Sequence, residues 1–467
     1  MDTLLLERAT GRISARACAA TVTESLYGSL SPSTFRAHSA AVNSLALEKA
    51  EYRYLLSGSG DSSLRLWDLS EDEIGPIRPP RAIATVSRRT AHRFGVSALR
   101  WWPEDTGMFI SASFDHTVQA WDTNRMAPAH VFEAGARVYA VDVCAARANR
   151  FSSQALVAVA SDQPQVRLLD LRAGAAAHTL QGHKGKTLAV TWHPQQPSIL
   201  ATGGFDGEVK VWDVRRAQSC LCRMDMARTN ASRARTDISS GGYSALPASS
   251  SESSDDESTI NNASMYGSHL KHSPFRPRQT NVDRLEYLSS TRAHLGPVNG
   301  LLWDEAGHML YSAGNDDKIR VWDMEHSPPV NRLVNFGPLT RNKYLQTAPV
   351  ALSARSEGET QHLVFGADTG DVLVLRALDG KLMARLPGRV RTSAMVAGAP
   401  YSATYFGGTM SGDIVTWRGM TRPPAIEGEY KDEEVDDVVP LDEIMCGSGE
   451  KEIAALYDDP YFRRESS

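Results

Sequence analysis

The chain has 467 residues, 42% of them apolar and 22% charged, with a formal net charge of −5, the composition of a soluble globular protein rather than a fibrous or membrane one. Residues 427–467 hold 14 acidic and 4 basic side chains, which leaves 41 acidic and 46 basic over the rest of the chain. That surplus is too thin for a phosphate-binding footprint, so no direct nucleic-acid binding is expected.

In chain order, the opening MDTLLLERATGR offers three consecutive apolar side chains before Glu7 and Arg8. Neither a secretory core nor a membrane span fits there or elsewhere, so no membrane partner is expected. Residues 2–10 can make a short helix ended by Gly11. Five scattered cysteines, with Cys220 and Cys222 lacking a second pair at ligand spacing, predict reduced thiols, an intracellular protein and no metal site.

From there the sequence repeats. LLSGSGDSSLRLWD, FISASFDHTVQAWD, ILATGGFDGEVKVWD and LYSAGNDDKIRVWD each carry a hydroxyl residue, an Asp four positions on and a Trp six positions after that. The sets are Ser57, Asp61 and Trp67; Ser111, Asp115 and Trp121; Thr202, Asp206 and Trp212; and Ser312, Asp316 and Trp322. His38, His92, His183 and His294 precede the four hydroxyls by 19, 19, 19 and 18 residues. In Leu64-Arg65-Leu66-Trp67 and Val209-Lys210-Val211-Trp212 every second side chain can face one side of a strand.

Three weaker copies place Leu169, Leu375 and Trp417 at the Trp position, the last with Ser411 in place of Asp. The seven markers are separated by 54, 48, 43, 110, 53 and 42 residues, one period with a single long insertion. A Ser-His-Asp constellation that recurs at fixed spacing with a Trp attached is a structural device, because a catalytic set occurs once per site. No enzyme and no cofactor are therefore expected. The insertion, at about 224–284, contains SALPASSSESSDDESTI, which cannot bury enough apolar surface to order itself, and the acidic tail 426–467 reads as a solvated extension.

These units resemble the WD-repeat family. The resemblance implies an all-β, seven-bladed propeller over 29–425, with a hydrogen-bonded His, Ser/Thr, Asp and Trp tetrad clamping a blade. It also implies that residues 32–36 supply the outer strand of the last blade and close the ring. ALRWWPEDTGMFISASFDHTVQAWDTNRMAPAHVF at 98–132, LQGHKGKTLAVTWHPQQPSILATGGFDGEVKVWDVRRAQSCL at 180–221 and the opening LxxRxTG at Leu5, Arg8, Thr10 and Gly11 narrow this further. They are similar to the Cockayne syndrome group A family of substrate receptors, which serve cullin-four RING ubiquitin ligases in transcription-coupled nucleotide excision repair.

That resemblance implies a non-catalytic nuclear receptor. Residues 1–28 would form a helix-loop-helix that inserts into the DNA-damage-binding adaptor of the ligase, with Leu4, Leu5 and Arg8 as contacts. A repeat box from Leu200 to Arg215, ending Trp212-Asp213-Val214-Arg215, would add Asp213 and Arg215 from the bottom rim, and Leu169-Asp170-Leu171-Arg172 is a degraded second copy that adds Arg172. The Cockayne syndrome group B ATPase and RNA polymerase II are implied as further partners. Substrate recognition would use the opposite face, where Phe114, Phe205 and Asn315 precede the blade Asp residues; exposed phenylalanines there are candidate hot spots, the alternative being that the same rings tuck against neighbouring blades. The rival reading is a scaffold for chromatin or histones with no ligase link.

Overall fold

The computed structural model describes residues 2–14, 30–69, 80–88, 90–144, 155–216, 220–229, 292–353, 361–399 and 404–419. The second half of the expected helix-loop-helix, most of the insertion and the whole acidic tail lie outside the described residues. Among those described, 28 strands form seven antiparallel sheets of four, and the one helix is Asp2–Ala9. The protein is a seven-bladed β-propeller.

Six blades are continuous in sequence: 42–86, 96–133, 138–180, 187–223, 298–331 and 350–386. The seventh takes Thr392–Ala397, Tyr405–Thr409 and Asp413–Gly419 from the end of the propeller and Leu30–Arg36 from its start. That last strand pairs antiparallel with Asp413–Gly419 along its whole length, placing Phe35 opposite Ile414. The innermost strands pack in cyclic order, first to seventh and back to the first. Pairing the two ends of the array in one sheet locks the circle without a covalent bond.

The apolar core is divided into seven clusters, and each is shared by two consecutive blades. Trp121 packs with Leu66 of the blade before it, Trp212 with Val166, and Trp322 with Val211. Leu169 and Leu375 occupy the same inter-blade site in blades three and six. A single four-stranded sheet has two faces to bury and cannot bury either alone; stacking around an axis covers both.

The residue after each hydroxyl position is Gly58, Ala112, Ala160, Gly203, Ala313, Gly366 or Gly408. At three of these a Cβ would press on the next blade's inner strand, 2.7 Å from Val96 Cγ1 at Gly58, 2.8 Å from Val298 Cγ1 at Gly203 and 2.7 Å from Val42 Cγ1 at Gly408. Close approach of neighbouring sheets therefore restricts that position to small residues.

The insertion starts later than composition suggests. Met224 is fully buried beside Trp322, Met226 N–H donates to the Arg292 carbonyl, and Thr229 bridges to Asn331. Six residues expected in the loop, 224–229, thus belong to the fold, because two methionines supply apolar anchors within an otherwise polar run.

Candidate functional site

The four tetrads assemble deep in the blades. In blade two, Trp121 Nε1 donates to Ser111 Oγ at 2.8 Å, Ser111 meets His92 Nε2 at 2.7 Å, and His92 Nδ1 meets Asp115 at 2.9 Å. Blade four repeats this with Trp212, Thr202, His183 and Asp206 at 2.8, 2.8 and 3.1 Å. Blade five does so with Trp322, Ser312, His294 and Asp316 at 2.8, 2.7 and 2.9 Å.

Blade one departs from the expected set. Trp67 and His38 reach Ser57 at 2.9 and 2.7 Å, but Asp61 stands 3.9 Å from the imidazole. Ser63 fills the step, 2.8 Å from His38 Nδ1 and 2.5 Å from Asp61. Thr117 holds the same place in blade two, 3.2 Å from His92 Nδ1 and 2.6 Å from Asp115, but there the carboxylate also meets the imidazole directly, whereas in blade one the serine is the bridge.

Burial alone would raise the carboxyl pKa of Asp61, Asp115 and Asp316, yet hydrogen bonds hold all three well below the usual carboxylate range. The donors are Ser39 and Ser63, His92 and Thr117, and His294 with Arg320, respectively. The four histidine side chains are sealed from solvent, so these groups have no route to a substrate.

Solvent-facing chemistry belongs to the turns, and the blade geometry sorts them onto two faces. Between the second and third strands of each blade, one residue donates its N–H to the carbonyl of the link entering the inner strand. The pairs are Gly60 to Ala41, Phe114 to Gly95, Asp162 to Arg137, Phe205 to Lys186, Asn315 to Pro297, Asp368 to Arg341 and Met410 to Arg391, at 2.8 to 3.2 Å. This sevenfold bond gathers Phe114, Phe205 and Asn315 on one face.

Phe205 is 46% exposed. Phe114 takes the tucked alternative: it is half-buried, edge-on to Tyr139 of the next blade at 6.1 Å between centroids. Asn315 is half-buried too, and its Nδ2 donates to the Lys343 carbonyl at 3.0 Å. Met410 holds the equivalent position in blade seven and is exposed; Ser411 in place of the usual Asp hid that turn in the sequence. Phe94 and Leu295, on the adjoining links, are 63% and 65% exposed, and their signal was their place one or two residues after a tetrad histidine.

The opposite face carries the turns between third and fourth strands. Strand Val209–Asp213 separates Phe205 from Arg215, about 15 Å at the usual strand rise. Arg215 is two-thirds exposed and grips the buried Asp213 carboxylate through Nε at 3.0 Å and Nη2 at 2.8 Å, which holds that carboxyl below its ordinary range. Arg172 is exposed in the same turn of blade three, where its N–H donates to Asp170 at 2.8 Å.

Helix Asp2–Ala9 ends as Gly11 predicts: φ is +72° there, Gly11 N–H donates to Arg8 O at 3.1 Å and Arg12 N–H to Glu7 O at 2.9 Å. Leu6 and Arg8 are exposed on it, while the side chains of Leu4 and Leu5 lie outside the described ones. No helix among the described residues is long and apolar enough to cross a membrane, and no group of three or more His, Cys, Asp or Glu among them can hold a metal ion.

The family described as WD domain, G-beta repeat, matches residues 30–68, 84–122, 174–213 and 285–323. WD repeat-containing protein ATCSA-1 of Arabidopsis thaliana is 34% identical over 332 residues, covering 66% of this chain and 72% of that protein. Radiation-sensitive protein 28 of Saccharomyces cerevisiae is 25% identical over 292 residues, 60% of this chain and 49% of its own length. Ribosome biogenesis protein WDR12 homolog of Oryza sativa subsp. japonica is 29% identical over 202 residues, 39% of this chain and 44% of the rice protein.

Proposed function

The chain belongs to the WD-repeat family, and from that premise we propose that it is a non-catalytic substrate receptor of a cullin-RING ubiquitin ligase acting in transcription-coupled nucleotide excision repair. It works in the nucleus, bound to the DNA-damage-binding adaptor of the ligase, with the group B ATPase and RNA polymerase II among its partners. The observation that carries this reading is the box ending Trp212-Asp213-Val214-Arg215, whose guanidinium projects from the face opposite Phe205. A planar fork anchored on Asp213 and open to solvent is prepared for a carboxylate or carbonyl on a partner.

Two relatives fit this reading, ATCSA-1 and a yeast protein named for radiation sensitivity. The mechanism is proximity: one face engages the adaptor, the other holds the target, and tethering raises the effective concentration of the target's lysines at the ubiquitin-loaded enzyme. The test is co-purification of the adaptor with a double variant, Leu5→Asp with Arg215→Glu, checked by circular dichroism for an intact fold. Loss of the adaptor is expected. Undiminished co-purification removes the ligase reading and leaves a scaffold without a ligase link.

A further inference from the structure

The stretches that lead directly into the inner strands, residues 37–41, 87–95, 134–137, 181–186, 292–297, 332–349 and 387–391, contain no Asp or Glu; 292–297 is only the end of the long link 224–297, whose acids, Asp225 to Glu286, lie upstream. Six of the seven carry at least one Arg or Lys. All seven reach the face of Phe205, because the sevenfold N–H bond from the neighbouring turn ties them there.

Most carboxylates on this face come from the turns and are already engaged; Glu133, opposite Thr117 at the end of its strand, is exposed. Asp61, Asp115, Asp206 and Asp316 serve the tetrads. Asp162 pairs with Lys186 at 2.6 Å, Asp368 with Arg391 at 2.7 Å, Asp371 with Arg385 at 2.6 Å and Asp413 with Arg36 at 3.3 Å. Arg93, Arg137, Lys184, Arg292, Arg341 and Arg389 are exposed, and among the described residues none has a carboxylate oxygen within 4.0 Å. Among the described residues, these cations meet no carboxylate at ion-pair distance and stand open to a ligand.

Apolar side chains stand between these cations: Phe94, Phe205, Leu295, Tyr344, Leu345 and Met410 are all exposed. A nucleic acid would use the cations and stack on the aromatic rings, but aliphatic Leu295, Leu345 and Met410 offer it no stacking surface. A carboxylate-rich peptide with apolar side chains between its acids uses both sets.

We propose that this face docks an acidic polypeptide segment studded with aromatic or aliphatic anchors. The inference rests on the receptor reading only for the idea that this segment belongs to the ligase target; the docking chemistry stands without it.

The probe is a fluorescein-labelled peptide of about 15 residues alternating acidic pairs with Phe and Leu, titrated by anisotropy against the full chain. Controls are the same peptide with Asn and Gln for every acid, and single- and double-stranded DNA of similar length. Expected is saturable, salt-sensitive binding, weakened roughly tenfold or more by Arg93→Gln, Lys184→Gln and Arg341→Gln together and by Phe205→Ala. Arg81→Gln with Arg125→Gln, on the opposite face, leaves it unchanged. Equal binding of the neutral peptide, tighter binding of DNA, absence of binding, or an equal loss from the opposite-face variant each overturns the proposal. Adaptor co-purification by the triple variant reports separately on the ligase reading.

Discussion

His38 Nδ1 lies 2.8 Å from the Ser63 hydroxyl, which stands between the imidazole and Asp61. Burial therefore dominates the ring's titration: desolvation pushes His38 from 6.5 down to about 4, against the pull of Asp61. Desolvation also lowers His294, where Asp316 pulls the other way. A histidine kept neutral in the fold but free to protonate when unfolded makes the unfolded chain bind more protons between the two pKa values, so stability rises with pH across that window. The fall of His38 from 6.5 to about 4 corresponds to about 3 kcal/mol. Urea unfolding followed by tryptophan fluorescence is expected to lose stability as pH drops from 6.5 towards 4. Asp206, held down at about 2, adds a further loss as pH falls from 3.8 towards that value. A His38→Gln variant with an unchanged slope between pH 6.5 and 4 refutes the assignment to this ring.

Thr202 Oγ1 accepts from Trp212 Nε1 and meets His183 Nε2, both at 2.8 Å and all three sealed from solvent. Thr202→Ala strands both partners, at about 1–3 kcal/mol for each buried group left unsatisfied. The expected result is a drop in unfolding free energy of about 2–5 kcal/mol. Thr202→Ser keeps the acceptor and loses one methyl, so it is expected to cost no more than about 1 kcal/mol. Equal losses for the two variants contradict a hydrogen-bonding role for the hydroxyl.

The recurring hydroxyl, Asp and Trp make the seven blades legible in the sequence, because the pattern repeats at one spacing. Blades three and six were faint for a reason visible in the packing. Where Leu replaces Trp, the hydroxyl position holds Val159 or Phe365, so an apolar contact stands where the hydrogen bond was, and the inter-blade site stays filled. Blade seven keeps Trp417 but places Gly407 at the hydroxyl position, beneath its indole. The small residue from Gly58 to Gly408 repeats in all seven blades, yet Gly and Ala are too common for that rule to show without the neighbouring Val. The face of Phe205 was only half legible, since exposure depends on the next blade: Tyr139 covers Phe114, and no aromatic ring among the described residues does the same for Phe205.

Phe35 sits edge-on to Trp67 at 5.1 Å, so the strand that completes blade seven also packs on blade one. Removing residues 1–36 takes away that contact and leaves Asp413–Gly419 as an unpaired edge. The truncated chain is expected to aggregate or to lose cooperative unfolding. Phe35→Ala should keep the sheet and weaken the joint by about 1–3 kcal/mol, for a half-buried ring and one aromatic pair. A truncated chain that stays monomeric with an unchanged midpoint would mean that the ring does not depend on this closure.

Asp213 and Arg215 are one ion pair with two different duties. Asp213 is buried, accepts the Arg215 N–H at 3.1 Å and fixes the turn between the third and fourth strands of blade four. Arg215 spends most of its surface in water, where screening leaves a salt bridge little influence on stability. Asp213→Ala should therefore lower the unfolding free energy by an amount on the order of 1 kcal/mol, through the lost turn bonds. Arg215→Ala should leave the unfolding midpoint where it was. If the guanidinium meets the adaptor, Arg215→Ala weakens co-purification with no change in fold, whereas Asp213→Ala weakens it by letting the guanidinium swing free. A destabilised Arg215→Ala would make any binding loss ambiguous between fold and contact, and an Asp213→Ala that binds normally would show that the fork needs no anchor.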